Sequence, residues 1–256
     1  MKHESSPSSE DGTDKRSARR GFLGVAALGL AGAVLAPGVR LIELAQAAPS
    51  GASGASSRVR WGMLIDSTKC TTGCTDCVKA CNSENGLSGG TLPTDSQWIR
   101  KVEIRDVRSG ATQSLPMMCQ HCAEPPCVDV CPTGASFKRA DGIVLVDRHR
   151  CIGCRYCLMA CPYKARSFVH SPVTNQRPDA PRGIGTAEAC NLCAPRVDRG
   201  ELPACVSACA QAGHSAILFG DLNDPMSEIS KRIASYPTRQ IRENLNLNTG
   251  VRYIGI

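Results

Sequence analysis

Apolar residues fall in short runs along this chain, and outside the N-terminus the longest runs are of strand length. Trp61 to Asp66 reads as a strand that leads through Ser67-Thr68-Lys69 into Cys70. The same phrase returns as Ile143 to Asp147, leading through Arg148-His149-Arg150 into Cys151, so the chain holds two related half-units. Asp141-Gly142 just before the second copy is a hairpin signal that pairs Ser136 to Arg139 with Ile143 to Val146. Alternation from Ile99 to Val107 predicts another hairpin, inside a 37-residue insertion between Cys81 and Cys119 that carries Gly86, Gly89 and Gly90. Ala216 to Phe219 predicts one more short strand, and Asn223-Asp224-Pro225 is placed to cap a helix from about Met226 to Ser235. Pro172, Pro178 and Pro181 punctuate residues 171–185, which lack an apolar period and read as a surface loop.

The N-terminus has a different grammar. Residues 1–47 read as an export signal: a polar start, Arg19-Arg20-Gly21-Phe22-Leu23, an apolar run from Phe22 to Ala36, a break at Pro37-Gly38, and a small-residue cleavage site at Ala45-Gln46-Ala47. The arginine pair resembles the twin-arginine signal, whose pathway exports proteins already folded and loaded with cofactor. Ala18 and Gly24 depart from the residues usual beside that pair. The apolar run is about 15 residues, short of the roughly 20 that a span needs, which weighs against a retained anchor. Residues 48–57 have the composition of a flexible linker, and order is expected from Arg58. The tail, residues 237–256, has no run able to span a membrane, so attachment to one is expected only through a partner chain.

Only ten residues are aromatic, so a thin hydrophobic core needs another source of folding free energy. Sixteen cysteines offer it, and they fall into four groups of four with none left over. Group 1 is Cys70, Cys74, Cys77 and Cys81; group 2 is Cys119, Cys122, Cys127 and Cys131; group 3 is Cys151, Cys154, Cys157 and Cys161; group 4 is Cys190, Cys193, Cys205 and Cys209. Group 3 is the bacterial ferredoxin motif, in which three thiolates wrap one iron–sulfur cube while the fourth, followed by Pro162, serves a second cube. Eight disulfides would not require the same three-residue gap before the last cysteine of every group. Structural zinc usually separates its two pairs more widely, and only group 4, with eleven residues between Cys193 and Cys205, has that spacing. Neither a lone Cys-x-x-Cys beside a βαβ pattern nor a Cys-x-x-Cys-His occurs, which removes thioredoxin-like chemistry and covalent haem. None of the five histidines is needed as a ligand; His121, inside group 2, reads as a solvated loop residue. No nucleophile elbow or phosphate-binding glycine loop is present, so the chain reads as a carrier with no catalytic residues.

The formal charge of +7 suggests a polyanion binder until the thiolates are counted. An oxidised cube on four thiolates carries about −2, so four of them add about 4 × (−2) = −8. Arg148, Arg150, Arg155, Lys164 and Arg166 then read as compensation for cluster charge, and nucleic acid is not an expected partner.

With its four groups, its leader, and Cys119-Gln-His-Cys122-Ala-Glu-Pro-Pro-Cys127-Val-Asp-Val-Cys131-Pro-Thr-Gly-Ala-Ser, the chain resembles the four-cluster ferredoxin subunits of membrane oxidoreductases over about residues 58–236. Arg60-Trp-Gly-Met-Leu-Ile-Asp66, Gly142-Ile-Val-Leu-Val-Asp147, Ala165-Arg-Ser-Phe-Val-His170 and Phe219-Gly-Asp-Leu-Asn-Asp-Pro225 look most like the DsrO type, the periplasmic iron–sulfur subunit of DsrMKJOP complexes. The resemblance implies an α+β fold of two ferredoxin-like modules holding four [4Fe-4S] clusters as a one-electron relay. It also implies an integral membrane quinone-interacting partner of the NrfD or DsrP type and a multihaem cytochrome c of the DsrJ type, in dissimilatory sulfur or sulfite metabolism. Two alternatives stay open: the electron-transfer subunit of a molybdopterin reductase or nitrite reductase system, and a structural or regulatory cluster-binding adaptor.

Because the fourth cysteine of one motif serves the other motif's cube, groups 2 and 3 are expected to form module B, at about residues 115–170. Its sites are Cys119, Cys122, Cys127 with Cys161, and Cys151, Cys154, Cys157 with Cys131. Groups 1 and 4 then make module A, from Cys70, Cys74, Cys77 with Cys209, and Cys190, Cys193, Cys205 with Cys81. Group 1 has three residues between its first two cysteines where two are usual, so Thr71-Thr72-Gly73 must bulge, with Gly73 absorbing the unusual dihedrals.

The leader gives the first test. Replacing Arg19 and Arg20 together with Lys keeps the charge but removes receptor recognition, so cluster-loaded precursor should stay in the cytoplasm. Finding the doubly substituted protein in a periplasmic fraction would reject the twin-arginine reading.

Overall fold

The computed structural model describes residues 55–174, 176–178 and 181–256. The expected signal, 1–47, and residues 48–54 of the expected linker lie outside the described residues. In chain order the elements are β1 (Trp61–Asp66), α1 (Asp76–Asn85), β2 (Ile99–Arg105), β3 (Thr112–Met118), α2 (Pro126–Asp129), β4 (Ser136–Lys138), β5 (Val144–Val146) and α3 (Tyr156–Ala160). They are followed by β6 (Ser167–Phe168), β7 (Ala187–Glu188), α4 (Ala194–Val197), α5 (Ala204–Gln211), β8 (Ile217–Asp221), α6 (Glu228–Ser235) and β9 (Val251–Ile254).

β1 is the middle strand of a three-stranded sheet in the order β8-β1-β9. Met63, Leu64 and Ile65 are all buried, and a strand covered on both faces has no reason to alternate. β8 runs antiparallel to it, with Met63 opposite Phe219, and Trp61 stacks on the diagonal Phe219 at 5.1 Å between ring centroids. On the other side β9 is parallel, with Met63 opposite Val251 and Ile65 opposite Tyr253. Gly62 permits this approach, since a Cβ there would lie 2.5 Å from the Gly250 carbonyl oxygen. Residues 237–256 therefore supply a strand of the central sheet, a role that four residues in a polar tail did not signal. Their pattern is nonetheless strand-like, with Val251 and Tyr253 buried and Arg252 and Ile254 half-buried.

The smaller pairs follow local rules. β4 and β5 form the expected hairpin, turned at Gly142 with φ 87° and closed by Arg139 N–H to the Ile143 carbonyl at 2.8 Å. β2 and β3 make the hairpin of the insertion, whose base is buried at Ile99, Leu115 and Met118 while Val107 at its tip is exposed. α6 starts two residues later than expected: Ser227, not Asn223 or Asp224, is the cap, its Oγ accepting from Ser230 N–H at 3.3 Å. Asp224 instead closes the preceding turn by accepting from Met226 N–H.

The main apolar cluster joins Met63, Ile65, Trp98, Leu115 and Tyr253 to eight cysteine side chains, so thiols are part of the core. Tyr253, fully buried, donates to the Pro116 carbonyl at 3.2 Å and accepts from Gln120 Nε2 at 3.2 Å. Tyr253→Phe should cost about 1 kcal/mol, and Tyr253→Ala about 3–5 kcal/mol, in anaerobic unfolding followed by the visible absorbance of the protein. Equal, near-zero effects would mean that β9 does not hold the sheet.

Candidate metal centres

One backbone device recurs in the four cysteine loops. The residue just before the second cysteine has positive φ in each: Gly73 at 79°, His121 at 44°, Gly153 at 73° and Leu192 at 51°. This left-handed step coils the loop so that successive thiols face a common centre. Group 1 keeps it despite its extra residue, because Gly73 still precedes Cys74. Glycine adopts this conformation freely, whereas His121 and Leu192 are strained by about 1–2 kcal/mol each.

Short helices place the remaining thiols. The third and fourth cysteines of each group are four residues apart: Cys77 and Cys81 on α1, Cys127 and Cys131 on and after α2, Cys157 and Cys161 on and after α3, Cys205 and Cys209 on α5. Positions i and i+4 share a helix face about 6 Å apart, so one helix addresses two adjacent sites.

The structure brings the sixteen thiols together in four quartets, each crossing between two groups. Cys70, Cys74 and Cys77 line a cavity of about 300 Å³ with Cys209. Cys119, Cys122 and Cys127 line one of about 300 Å³ with Cys161, and Cys151, Cys154 and Cys157 one of about 320 Å³ with Cys131. Cys190, Cys193 and Cys205 surround Cys81, where all four are buried. Cys209 thus leaves its own group for the first cavity, so group 4 does not close on itself as a zinc knot would. None of the sixteen is paired in a disulfide.

Quartets of soft sulfur donors gathered around a common centre suit iron–sulfur cubes. Backbone N–H groups aimed at sulfur strengthen the fit, since they stabilise the negative charge that such a group carries. Ser136 N–H donates to Cys131 Sγ at 3.3 Å, Ala165 N–H to Cys161 Sγ at 3.5 Å, and Ala216 N–H to Cys209 Sγ at 3.3 Å. At the fourth cysteine of group 1 the donor is a side chain, Asn85 Nδ2 to Cys81 Sγ at 3.7 Å. Burial pushes the free thiols up, Cys77 to about 11 and Cys122 and Cys190 to about 12, so metal must displace protons on entering. At Cys131 burial acts upward too, but hydrogen bonds from Ser136 and Thr133 outweigh it and hold the thiol below its usual value.

Neighbouring quartets are near enough to interact electrostatically, and they do so in one order. Cys205 feels Cys77, Cys119 feels Cys190, and Cys157 feels Cys127, which places the quartets as Cys70, Cys81, Cys119, Cys131. The two middle quartets are wholly buried; Cys70 and Cys74 at one end are half-buried, and Cys154 at the other is exposed, beside exposed Ile152, Tyr156 and Met159.

Several side chains differ from the sequence reading. His121 is no solvated residue: it is 1% exposed, and its Nδ1 accepts from Val144 N–H at 3.0 Å, with burial holding it neutral at about 3. Of the five basic residues near group 3, Arg166 alone donates to a cysteine sulfur. Arg148 binds the Pro181 carbonyl, Arg150 the Thr133 carbonyl, and Arg155 lies over the Phe168 ring. Lys101 and Pro116 of the insertion's hairpin wall the Cys70 cavity, which gives that insertion its role. Asp76 and His214 also reach this cavity, their donor atoms within 4.8 Å of one another and of Cys74 Sγ. No spacing rule pointed to them, because they come from different groups.

Four quartets delivered by coiled loops and short helices, on a sheet too small to bury much else, define an iron–sulfur protein of the ferredoxin type. Residues 111–221 match the 4Fe-4S dicluster domain family. The chain is 37% identical over 264 residues to the Hdr-like menaquinol oxidoreductase iron-sulfur subunit 1 of Archaeoglobus fulgidus, covering 92% of this chain and 97% of that one. It is 39% identical over 205 residues to a tetrathionate reductase subunit of Salmonella typhimurium, covering 77% of this chain and 73% of that one. Over 183 residues it is 43% identical to protein NrfC of Escherichia coli, covering 70% of this chain and 74% of that one. The chain belongs to this family of iron–sulfur electron-transfer subunits of oxidoreductase complexes. Among the described residues no helix is long and apolar enough to cross a membrane.

Proposed function

We propose that the chain relays single electrons through four [4Fe-4S] clusters, held by Cys70, Cys74, Cys77 and Cys209; by Cys81, Cys190, Cys193 and Cys205; by Cys119, Cys122, Cys127 and Cys161; and by Cys131, Cys151, Cys154 and Cys157. The order of the quartets carries this reading: two buried ones lie between two that reach the surface. A bound [4Fe-4S] cube supplies reversible one-electron chemistry. The residues do the rest. Sixteen thiolates fix the sites, the sheet and the β2–β3 hairpin exclude water from the interior quartets, and N–H groups on sulfur offset the added charge.

The finer reading is a periplasmic subunit of the DsrO type, exported through the twin-arginine leader and attached to the membrane by an NrfD- or DsrP-type quinone-interacting partner. A DsrJ-type multihaem cytochrome would be its further redox partner, in sulfur or sulfite metabolism. The Archaeoglobus relative, a subunit of a menaquinol oxidoreductase, supports the quinone side. The likeness to the tetrathionate reductase subunit keeps a second reading open, in which the partner is a molybdopterin reductase. Purifying the native complex separates them: a large molybdopterin subunit would exclude the DsrO assignment.

Iron and acid-labile sulfide in the anaerobically prepared chain should each approach about 4 × 4 = 16 atoms. A reproducible value near about 12, with zinc making up the difference, would remove one cluster from the scheme. The wiring has its own test in redox titrations followed by electron paramagnetic resonance. Cys209→Ser should alter the signal that Cys70→Ser alters; if it instead shares one with Cys190→Ser, each group binds its own cube and the crossed assignment is wrong.

A further inference from the structure

Arg166 lies between the Cys161-Pro162 corner and β6, and its side chain turns inward until only 7% of the residue is exposed. Its Nη2 donates to Cys127 Sγ at 3.0 Å. Nε and Nη1 are buried as well and have no hydrogen-bond partner in the protein. A buried guanidinium with two orphaned nitrogens costs several kcal/mol unless an anion faces it. The groups that act on this one are thiols: burial disfavours its charge, while Cys127, Cys119 and Cys157 favour it and hold its pKa above the usual value. Cys119 and Cys127 belong to one quartet and Cys157 to the next, so the cation stands at their junction.

Metal-bound thiolates would place negative charge against this guanidinium. On the cluster reading given above, we propose that Arg166 is a fixed positive charge that raises the reduction potentials of the Cys119 and Cys131 quartets, the Cys119 quartet more. The ranking follows from position, since Arg166 donates to Cys127 and lines the cavity of the Cys119 quartet, whereas it does not line the cavity of the Cys131 quartet. An added electron is stabilised by a nearby cation, and the low dielectric of the interior leaves that attraction unscreened. Arg150 and Arg155 also stand near this half of the chain, but both are exposed, where water and salt screen them.

The test uses the full chain, anaerobically loaded, and redox titrations followed by electron paramagnetic resonance, with components assigned through Cys119→Ser and Cys151→Ser. Arg166→Gln should lower the reduced-to-oxidised ratio of the Cys119 component at a fixed ambient potential by at least tenfold, which is about 59 mV for a one-electron couple. The Cys131 component should fall by less, the other two should stay in place, and Arg166→Lys should recover most of the loss. Four unmoved components in Arg166→Gln overturn the proposal, and so does an equal fall in the Gln and Lys variants, which would make the effect one of packing. Should Arg166→Gln bind less iron, Arg166→Met replaces it. Iron loss in both neutral variants but not in Lys supports the charge role, and equal loss in all three overturns it. A wild-type chain without four reducible clusters would instead reject the cluster reading itself.

Discussion

A separation of four residues between the third and fourth cysteine of every group governs this molecule. On α1 and α5 one helical turn puts both side chains on the same face about 6 Å apart, and after α2 and α3 the fourth cysteine lies just past the helix end, so each group hands its thiols to two neighbouring sites. Every site then needs two groups, and every group needs a partner. Groups 2 and 3 are close enough in sequence to pair across the β4–β5 hairpin. Groups 1 and 4 must be brought together from the two ends of the described region, and the sheet does this. β1 leads into Cys70 and β8 leaves Cys209, and their antiparallel pairing at Ile65 and Ile217 fixes both ends of one quartet. Fold and ligand wiring are one constraint here, which is why so few aromatic residues suffice.

The same geometry explains the gradation of exposure along the quartets. The quartets of Cys119 and Cys190 interact with each other and lie in the middle of the order, with one further quartet at each end. The cysteines of the two middle quartets are buried, whereas at the ends Cys70, Cys74, Cys131, Cys151 and Cys154 reach solvent to different degrees. The ends also differ in kind. Lys69, Asp76, Lys101 and His214 surround the Cys70 cavity, while exposed Ile152, Tyr156 and Met159 stand near Cys154. A carrier that meets two different partners needs such a difference, because like surfaces at both ends would compete for the same one.

Spacing made the four cysteine groups legible in the sequence, since relations of three and four residues are local; which groups share a site is a tertiary matter that spacing alone does not give. Trp61 to Asp66 and the Asp141-Gly142 hairpin were legible for the same reason. What stayed hidden depends on distant partners. Val251 to Ile254 sits in a polar tail, and it pairs with β1 where Gly62 leaves room for the close approach of Gly250. β6 and β7 are two residues each and exist by pairing across a loop that the sequence marks only as irregular. Ser227 outcompetes Asn223 and Asp224 as the helix cap because Asp224 is already committed to the turn before it. Five basic residues near group 3 look alike in sequence, and among them burial brings Arg166 into hydrogen-bond contact with sulfur while Arg155 lines the cavity of the Cys131 quartet.

Two features of the chain are costly when no metal is bound, and they add in the same direction. His121 and Leu192 hold left-handed backbone at buried positions, about 1–2 kcal/mol each. Arg166 is buried with two nitrogens unmatched. Aromatic and aliphatic side chains share one core cluster with eight buried cysteines. Metal–thiolate bonds reverse both costs at once: they fix the coiled loops in the strained conformation and place negative charge beside Arg166. Strain and unmatched charge of this kind persist only where surrounding bonds over-determine them. The fold and the metal sites therefore depend on one another.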